Sequence, residues 1–377
     1  MIAPENLRSA RVRMYGDNVL KIGYFGVNCS SGRYVTKVPE RWSASWDDCL
    51  RLAKMMDEAG FDFILPIGRW KGYGGETDYQ GASWETITWA TGLLAATKRI
   101  TVFGTVHAAL FHPLIAAKQI VTADHAGHGR FGLNIVCGWN EGEFEMFGVS
   151  SGDHASRYRI GQEWIDVLRL AWTRDDFDYS GEFYHLKGVR EKPKPYGGTL
   201  PLIMNAGHSS EGRAFGLRNC DAWFTTVRVG SGHIADLETA SRVVQDAKAE
   251  GRRAGHDIDV YTVGIVACKP TRKEAEEFNH YVAIEQADLG AIDNMLAWRG
   301  VVPTSPEDRD KLRRQQGSGG GVRLIGTPDD VAETLAAVSR AGFAGIGISF
   351  LNYADELPYF RDEVLSRLER MGLRTPR

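Results

Sequence analysis

A chain of 377 residues that is 43% hydrophobic and 25% charged can bury the core of one large α/β domain. Its formal net charge of -3 offers no basic surface for nucleic acid or an anionic membrane. No apolar run reaches the roughly 18 residues that span a bilayer, and the first eight residues lack the apolar stretch of a signal peptide, so a cytoplasmic protein is expected. Along the chain, short apolar runs predict strands at residues 20–27, 61–67, 100–106, 131–136, 200–205, 222–227, 260–267 and 345–350. Helical patterns fall between them, at 46–60, 84–96, 113–126, 157–172, 209–217, 234–254, 273–287, 328–341 and 359–370. The first starts after Ser45, a natural N-cap, and stops at Gly60.

Strands alternating with helices in this number predict an α/β fold, a (β/α)8 TIM barrel forming a single domain over residues 1–377, with insertions after strands 4 and 7. An open doubly wound sheet is the alternative, but no Gly-x-Gly-x-x-Gly follows the first strand. Residues 174–199 contain Tyr179-Ser-Gly-Glu-Phe-Tyr184, a turn between aromatic strand residues, and predict a hairpin. Residues 288–321 combine Pro303-Thr-Ser-Pro306 with Gln315-Gln-Gly-Ser-Gly-Gly-Gly321. That composition reads as too poor in apolar residues to pack, and a mobile lid over the active site is expected there.

Five cysteines, Cys29, Cys49, Cys137, Cys220 and Cys268, are an odd number without metal-type spacing, so reduced thiols and no metal site are expected. Hydrolase elbows, zinc helices and phosphate loops are absent from the sequence. A paired-carboxylate hydrolase would rest only on Glu141 and Glu143.

The most informative stretch is Asn134-Ile-Val-Cys-Gly-Trp-Asn-Glu-Gly-Glu143, where a buried strand turns abruptly polar at the end that carries ligands in a parallel barrel. An ordinary loop with a helix cap is the alternative. Arg157-Tyr158 at a helix start and Asn205-Ala-Gly-His-Ser-Ser210 before another offer a guanidinium, a phenol and exposed amides to a phosphate. Pro66-Ile-Gly-Arg69 follows the second strand, where glycines permit close approach of a ligand. Trp70, Tyr73, Trp84, Phe111, Trp139 and Trp223 point to a compact, partly apolar substrate pocket. His107 and His112 have no carboxylate partner apparent in the sequence and read as loop histidines.

Together with Trp172, Gly181-Glu-Phe-Tyr184 and Lys192-Pro-Lys-Pro195, these segments resemble the bacterial-luciferase-like flavin-dependent monooxygenases, in the branch of the dimethylsulfone and pyrimidine monooxygenases. The resemblance runs over residues 21–373. It implies a two-component FMN-dependent monooxygenase that takes reduced FMN from a separate NAD(P)H:flavin reductase and uses O2 to oxygenate a small organic substrate, such as a sulfone, a cyclic amide or a halogenated compound. It also implies a homodimer or homotetramer. Residue by residue, it places Gly68, Arg69, Asn134, Glu143, Arg157, Tyr158, Gly207 and Ser209 at the flavin. Leu65, Thr105, Asn134 and Trp139 fall at or beside an oxygen pocket near the flavin N5, where a flavin-N5-peroxide is expected. A deazaflavin-dependent oxidoreductase of the same superfamily and a non-catalytic flavin-binding protein are the alternatives.

Overall fold

The computed structural model describes residues 12–138, 140–150, 152–226, 237–317 and 319–376. In chain order its strands are β1 (Lys21–Phe25), β2 (Phe63–Leu65), β3 (Thr101–His107), β4 (Phe131–Val136), β5 (Phe177–Ser180), β6 (His185–Val189), β7 (Leu202–Asn205), β8 (Ala222–Phe224), β9 (Asp259–Cys268), β10 (Val322–Gly326) and β11 (Gly345–Ser349). The helices used below are α1 (Trp46–Glu58), α2 (Thr86–Ala96), α3 (Pro113–Ala126), α4 (Glu141–Met146), α5 (His154–Thr173), α6 (Ser210–Asn219), α7 (Leu237–Arg253), α8 (Arg272–His280), α9 (Leu289–Trp298), α10 (Pro306–Gly317), α11 (Pro328–Arg340) and α12 (Tyr353–Tyr359). The fold is an α/β TIM barrel, and β1, β2, β3, β4, β7, β8, β9 and β11 are its eight predicted strands. Val227 and the start of the helix predicted at 234–254 lie outside the described residues.

The chain falls into two compact units. In the first, β3, β4, β7 and β8 pair in parallel in that order. Their residues are apolar almost throughout, as strands covered on both faces must be. Gly132 on β4 has no room for a side chain, because a Cβ there would lie 2.5 Å from the Phe103 ring of β3. Arg130, at the foot of β4, is buried yet satisfied. Its guanidinium donates to Leu94 O at 2.8 Å and to Thr97 O, Thr97 Oγ1 and Ile100 O at 3.0 Å, closing the open carbonyls at the end of α2. After β4 come α4, α5 and the antiparallel hairpin β5–β6.

In the second unit β1 pairs in parallel with β2 and β11, and β9 pairs with β11 on one side and β10 on the other. Behind β1, the buried Asp62 carboxylate receives Arg374 Nη1 at 2.6 Å, Ile22 N at 2.7 Å and Asn18 Nδ2 at 2.7 Å. A buried charge is tolerable only with its lone pairs met in this way. Helix starts follow their caps: the Ser45 hydroxyl accepts from Asp48 N at 3.1 Å, and Thr271 and Thr327 form capping boxes ahead of α8 and α11.

The clearest departure from expectation is the segment at 288–321. It is not a stretch too polar to pack, because it holds two helices, α9 and α10, ahead of the unpredicted strand β10. Ala291, Ile292, Met295 and Leu296 line one face of α9 and pack with Val35, Tyr73 and Tyr79. Asp288 caps the helix by accepting from Ala291 N at 3.1 Å, and its other oxygen holds Thr77 N and Thr77 Oγ1 at 2.8 Å. The helix is apolar at seven of its ten positions, and it is the polar, glycine-rich stretch after Trp298 that gives residues 288–321 their polar composition as a whole. The predicted helix at 273–287 is likewise divided, into α8 and a π-helical turn at Tyr281–Glu285.

Candidate functional site

In the first unit the pairing of β3 with β4 sets Thr105 directly opposite Asn134. Neighbouring residues in register share a face of the sheet, and Asn134 Nδ2 donates to Thr105 Oγ1 at 3.2 Å. The Thr105 backbone is fixed in turn: its N–H donates to Thr86 Oγ1 at 3.0 Å, and the Thr86 hydroxyl donates to Thr105 O at 2.6 Å. Both side chains are buried, and Asn134 Oδ1 is enclosed without a hydrogen-bond partner. An amide oxygen left unmet inside a protein is costly, so an acceptor held in this way is most readily understood as awaiting a donor from a ligand.

Just beyond the carboxyl end of β4, α4 brings Glu143 inward, almost fully buried, with Oε2 3.7 Å from Nε2 of His107. That distance is an ion-pair separation and too long for a hydrogen bond. No carboxylate partner for His107 is apparent in the sequence, and the structure corrects this by bringing the end of β3 to α4. His112 is the N-cap of α3, its Nδ1 accepting from Leu114 N at 3.3 Å. Trp139 lies outside the described residues.

Arg157, Tyr158, Gly207 and Ser209 are also in this unit. Ser209 caps α6, its hydroxyl accepting from Gly212 N at 3.0 Å. Gly207 N donates to Asn205 Oδ1 at 2.8 Å, and Trp223 Nε1 donates to Gly207 O at 2.9 Å, which pins the turn before the helix. A Cβ on Gly212 would lie 2.5 Å from the Tyr158 hydroxyl and 2.9 Å from Gly207, so only glycine allows the phenol to reach this helix start. Burial raises the Tyr158 pKa while its bond to Ser209 opposes the rise, so the phenol remains a donor. Arg157, on the preceding position of α5, donates from Nη1 to Gly152 O at 3.2 Å. These residues make a small cradle of hydroxyls, a cation and a helix N-terminus, which fits a phosphate.

Cys137 sits against Gly161 on α5, and burial pushes its thiol up to about 12 despite nearby Arg157, so it stays protonated. All five cysteines are buried, and none is joined in a disulfide. Among the described residues no group of His, Cys, Asp and Glu is placed to hold a metal, and no helix is long and apolar enough to cross a membrane.

In the second unit, Leu65 is buried at the end of β2 and Arg69 stands four residues on. Arg69 Nε donates to Gln80 Oε1 at 3.3 Å and Nη2 to the Tyr73 hydroxyl at 3.0 Å, with the guanidinium 4.6 Å from the Tyr73 ring centroid. The turn holding Gly68 is clamped by Asn28, which donates to Ile67 O and accepts from Ile67 N, both at 2.8 Å. Asn28 and Gln80 were not singled out in the sequence, because single polar residues between motifs carry no spacing signal. Trp84 is 40% exposed and packs edge-on against Trp46.

The family model of luciferase-like monooxygenases matches residues 20–345. An FMNH(2)-dependent dimethylsulfone monooxygenase of Pseudomonas fluorescens is 31% identical over 355 residues, spanning 92% of this chain and 93% of the relative. Pyrimidine monooxygenase RutA of Escherichia coli is 27% identical over 369 residues, spanning 94% and 90%. Among solved structures, DmoA from Hyphomicrobium sulfonivorans superposes with a TM-score of 0.82 at 18% identity over 94% of this chain and 89% of its own. An F420-dependent secondary alcohol dehydrogenase reaches 0.68 at 16% identity over 92% and 99%.

Proposed function

This chain belongs to the luciferase-like monooxygenase family, and from that membership we propose that it is the oxygenase of a two-component system, using reduced FMN and O2 to oxygenate a small organic substrate. The curated relatives support FMN as the cofactor, and a flavin reductase as the partner that supplies it reduced. The deazaflavin alternative draws only on a shared fold, since the F420-dependent structure is 16% identical.

Support from this chain's own residues begins with the pair Thr105–Asn134, in which the Asn134 amide nitrogen donates to the Thr105 hydroxyl while the amide oxygen stays enclosed and unmet, near the carboxyl end of a barrel strand. Reduced flavin, when bound, supplies the electrons that activate oxygen. Arg157, Tyr158, Gly207 and Ser209 would hold its phosphate, and Glu143 would hold its ring from the α4 side. Gly68, Arg69 and Leu65 keep the flavin and oxygen roles that the resemblance gives them. Thr105 and Asn134 would orient oxygen at the N5 edge of the ring and donate to negative charge as it develops, while the buried walls exclude water. The segment 288–321 would act as a lid, its α9 anchored by Asp288 and its α10 moving.

The test is oxygen uptake by the protein supplied with FMN, NADH and a purified flavin reductase. A substrate whose addition places one atom of labelled O2 in a product supports an oxygenase. Uptake that only ever yields hydrogen peroxide, across a broad substrate panel, supports the non-catalytic flavin-binding alternative.

A further inference from the structure

Arg33 lies on the segment after β1, at the barrel end where ligands are met, and its guanidinium is satisfied along one edge only. Its Nη2 donates to the carbonyls of Gly319 and Gly320, the latter at 3.3 Å, and its carbon lies 5.2 Å from the Phe25 ring centroid. Its Nη1 is enclosed and has no hydrogen-bond partner. Other arginines of this unit are provided for: Arg374 ends on Asp62 at 2.6 Å, and Arg69 on Gln80 and Tyr73. Arg33 forms no ion pair with a carboxylate among the described residues. Burial draws its pKa below the usual arginine value, opposed by the Tyr79 and Tyr353 hydroxyls and reinforced slightly by Arg299. A cation in such a place, with donors unmet and no carboxylate paired with it, lacks a counter-ion.

The position is also built to hold still. Gly32 O accepts from Gln80 Nε2 at 2.7 Å and from the Tyr79 hydroxyl at 3.2 Å, and Gln80 Oε1 accepts from Arg69. The backbone entering Arg33 is thereby tied, through one glutamine, to the arginine that the resemblance places at the flavin. A Cβ on Gly32 would fall 2.5 Å from the Tyr353 ring, which prevents the turn from swinging. Across from it, Gly319 approaches so closely that a Cβ would meet Arg33 O at 2.4 Å, whereas Gly320 has open space beside it.

We propose that Arg33 recognises an anionic oxygen of the substrate, so that the substrate is a small organic anion whose carboxylate takes the two donors of Nη1. A carboxylate matches the planar guanidinium and supplies the missing counter-charge. This deepens the oxygenase reading and rests on it for the word substrate, while the binding itself can be measured independently of turnover.

The experiment is calorimetric titration of the FMN-loaded protein with two matched pairs, acetate against acetamide and benzoate against benzamide, each pair alike in shape and differing in charge. The wild-type protein is expected to bind at least one carboxylate tenfold or more tightly than its amide. Arg33→Met should reduce that ratio to about one, and Arg33→Lys should restore part of it. Equal affinity within both pairs in the wild type, or an undiminished ratio in Arg33→Met, overturns the proposal. Arg33→Gln, which keeps a donor for the glycine carbonyls, serves if Arg33→Met does not fold, and a carboxylate preference retained there is equally fatal. FMN titration of each variant separates the two readings: failure of the wild type to bind FMN defeats the oxygenase reading, whereas the carboxylate-to-amide ratio reports on Arg33 alone.

Discussion

Nε2 of His107 lies 3.7 Å from Oε2 of Glu143, and both side chains are almost completely buried. At such depth little water separates a carboxylate from an imidazole. If they hold the flavin ring as a unit, the effects of Glu143→Gln and His107→Gln on FMN binding will not add. A double-mutant cycle by calorimetry should give a coupling of roughly 0.5 kcal/mol or more. Strict additivity would reduce His107 to packing.

Thr105→Val keeps the shape of the side chain and removes its hydroxyl. The Asn134 amide loses its acceptor, a loss of about 1–3 kcal/mol for a buried donor left unmet, so thermal stability should fall by a few degrees. FMN binding should survive. Product formation should drop by a hundredfold or so, the usual cost of deleting one preorganised donor to developing charge. Turnover equal to wild type would assign Thr105 to the strand alone.

The phosphate cradle at the start of α6 predicts that FMN binds far more tightly than riboflavin. Charge-assisted contacts are typically worth about 1.5–3 kcal/mol, so Arg157→Ala should weaken FMN tenfold or more and leave riboflavin unaffected. Titration of both flavins against both proteins checks this, and equal affinity of the wild type for the two would remove the cradle's role.

The lid reading predicts where trypsin cuts. Arg309, Lys311 and Arg314 are exposed on α10, whereas α9 is packed and capped. Arg313 joins the helices by donating from Nε to Asp293 Oδ1 at 2.9 Å. Early fragments should end within residues 306–317, and saturating FMN should slow their appearance several-fold. Cleavage at the same rate with and without FMN would mark α10 as a fixed excursion.

Glu356 lines a cavity of about 220 Å3 with Cys268, Lys269 and Tyr359. Burial is the main force pushing its carboxyl up to about 7, against the opposing pull of Lys269, whose Nζ is 3.8 Å away. Between the ordinary carboxylate value and 7 the folded protein binds this proton and the unfolded chain does not, so stability falls as pH rises through that window and is level above it. The effect is bounded at about 3 kcal/mol. Glu356→Gln should flatten the decline between pH 5 and 7, which denaturant midpoints across pH would measure. An unchanged slope in the variant would assign the decline to other groups.

The sequence by itself determined the periodic part of this protein. Eight apolar runs and the helices between them name the barrel, because burying both faces of a strand demands continuous apolar residues and a helix start demands a cap such as Ser45. The polar ends of β4 and β7 were legible for the same reason, since abrupt polarity after a buried strand needs an explanation. Tertiary structure alone decided which side chains meet. Register set Asn134 on Thr105, 29 residues away, and the ending of β3 beside α4 gave His107 its carboxylate. It also folded residues 289–298 into a packed helix, because Ala291, Ile292, Met295 and Leu296 gain stability only where Val35, Tyr73 and Tyr79 cover them. Arg33 shows the limit most plainly. A lone arginine in a loop reads as solvated, and only the enclosing walls reveal that its Nη1 has no hydrogen-bond partner.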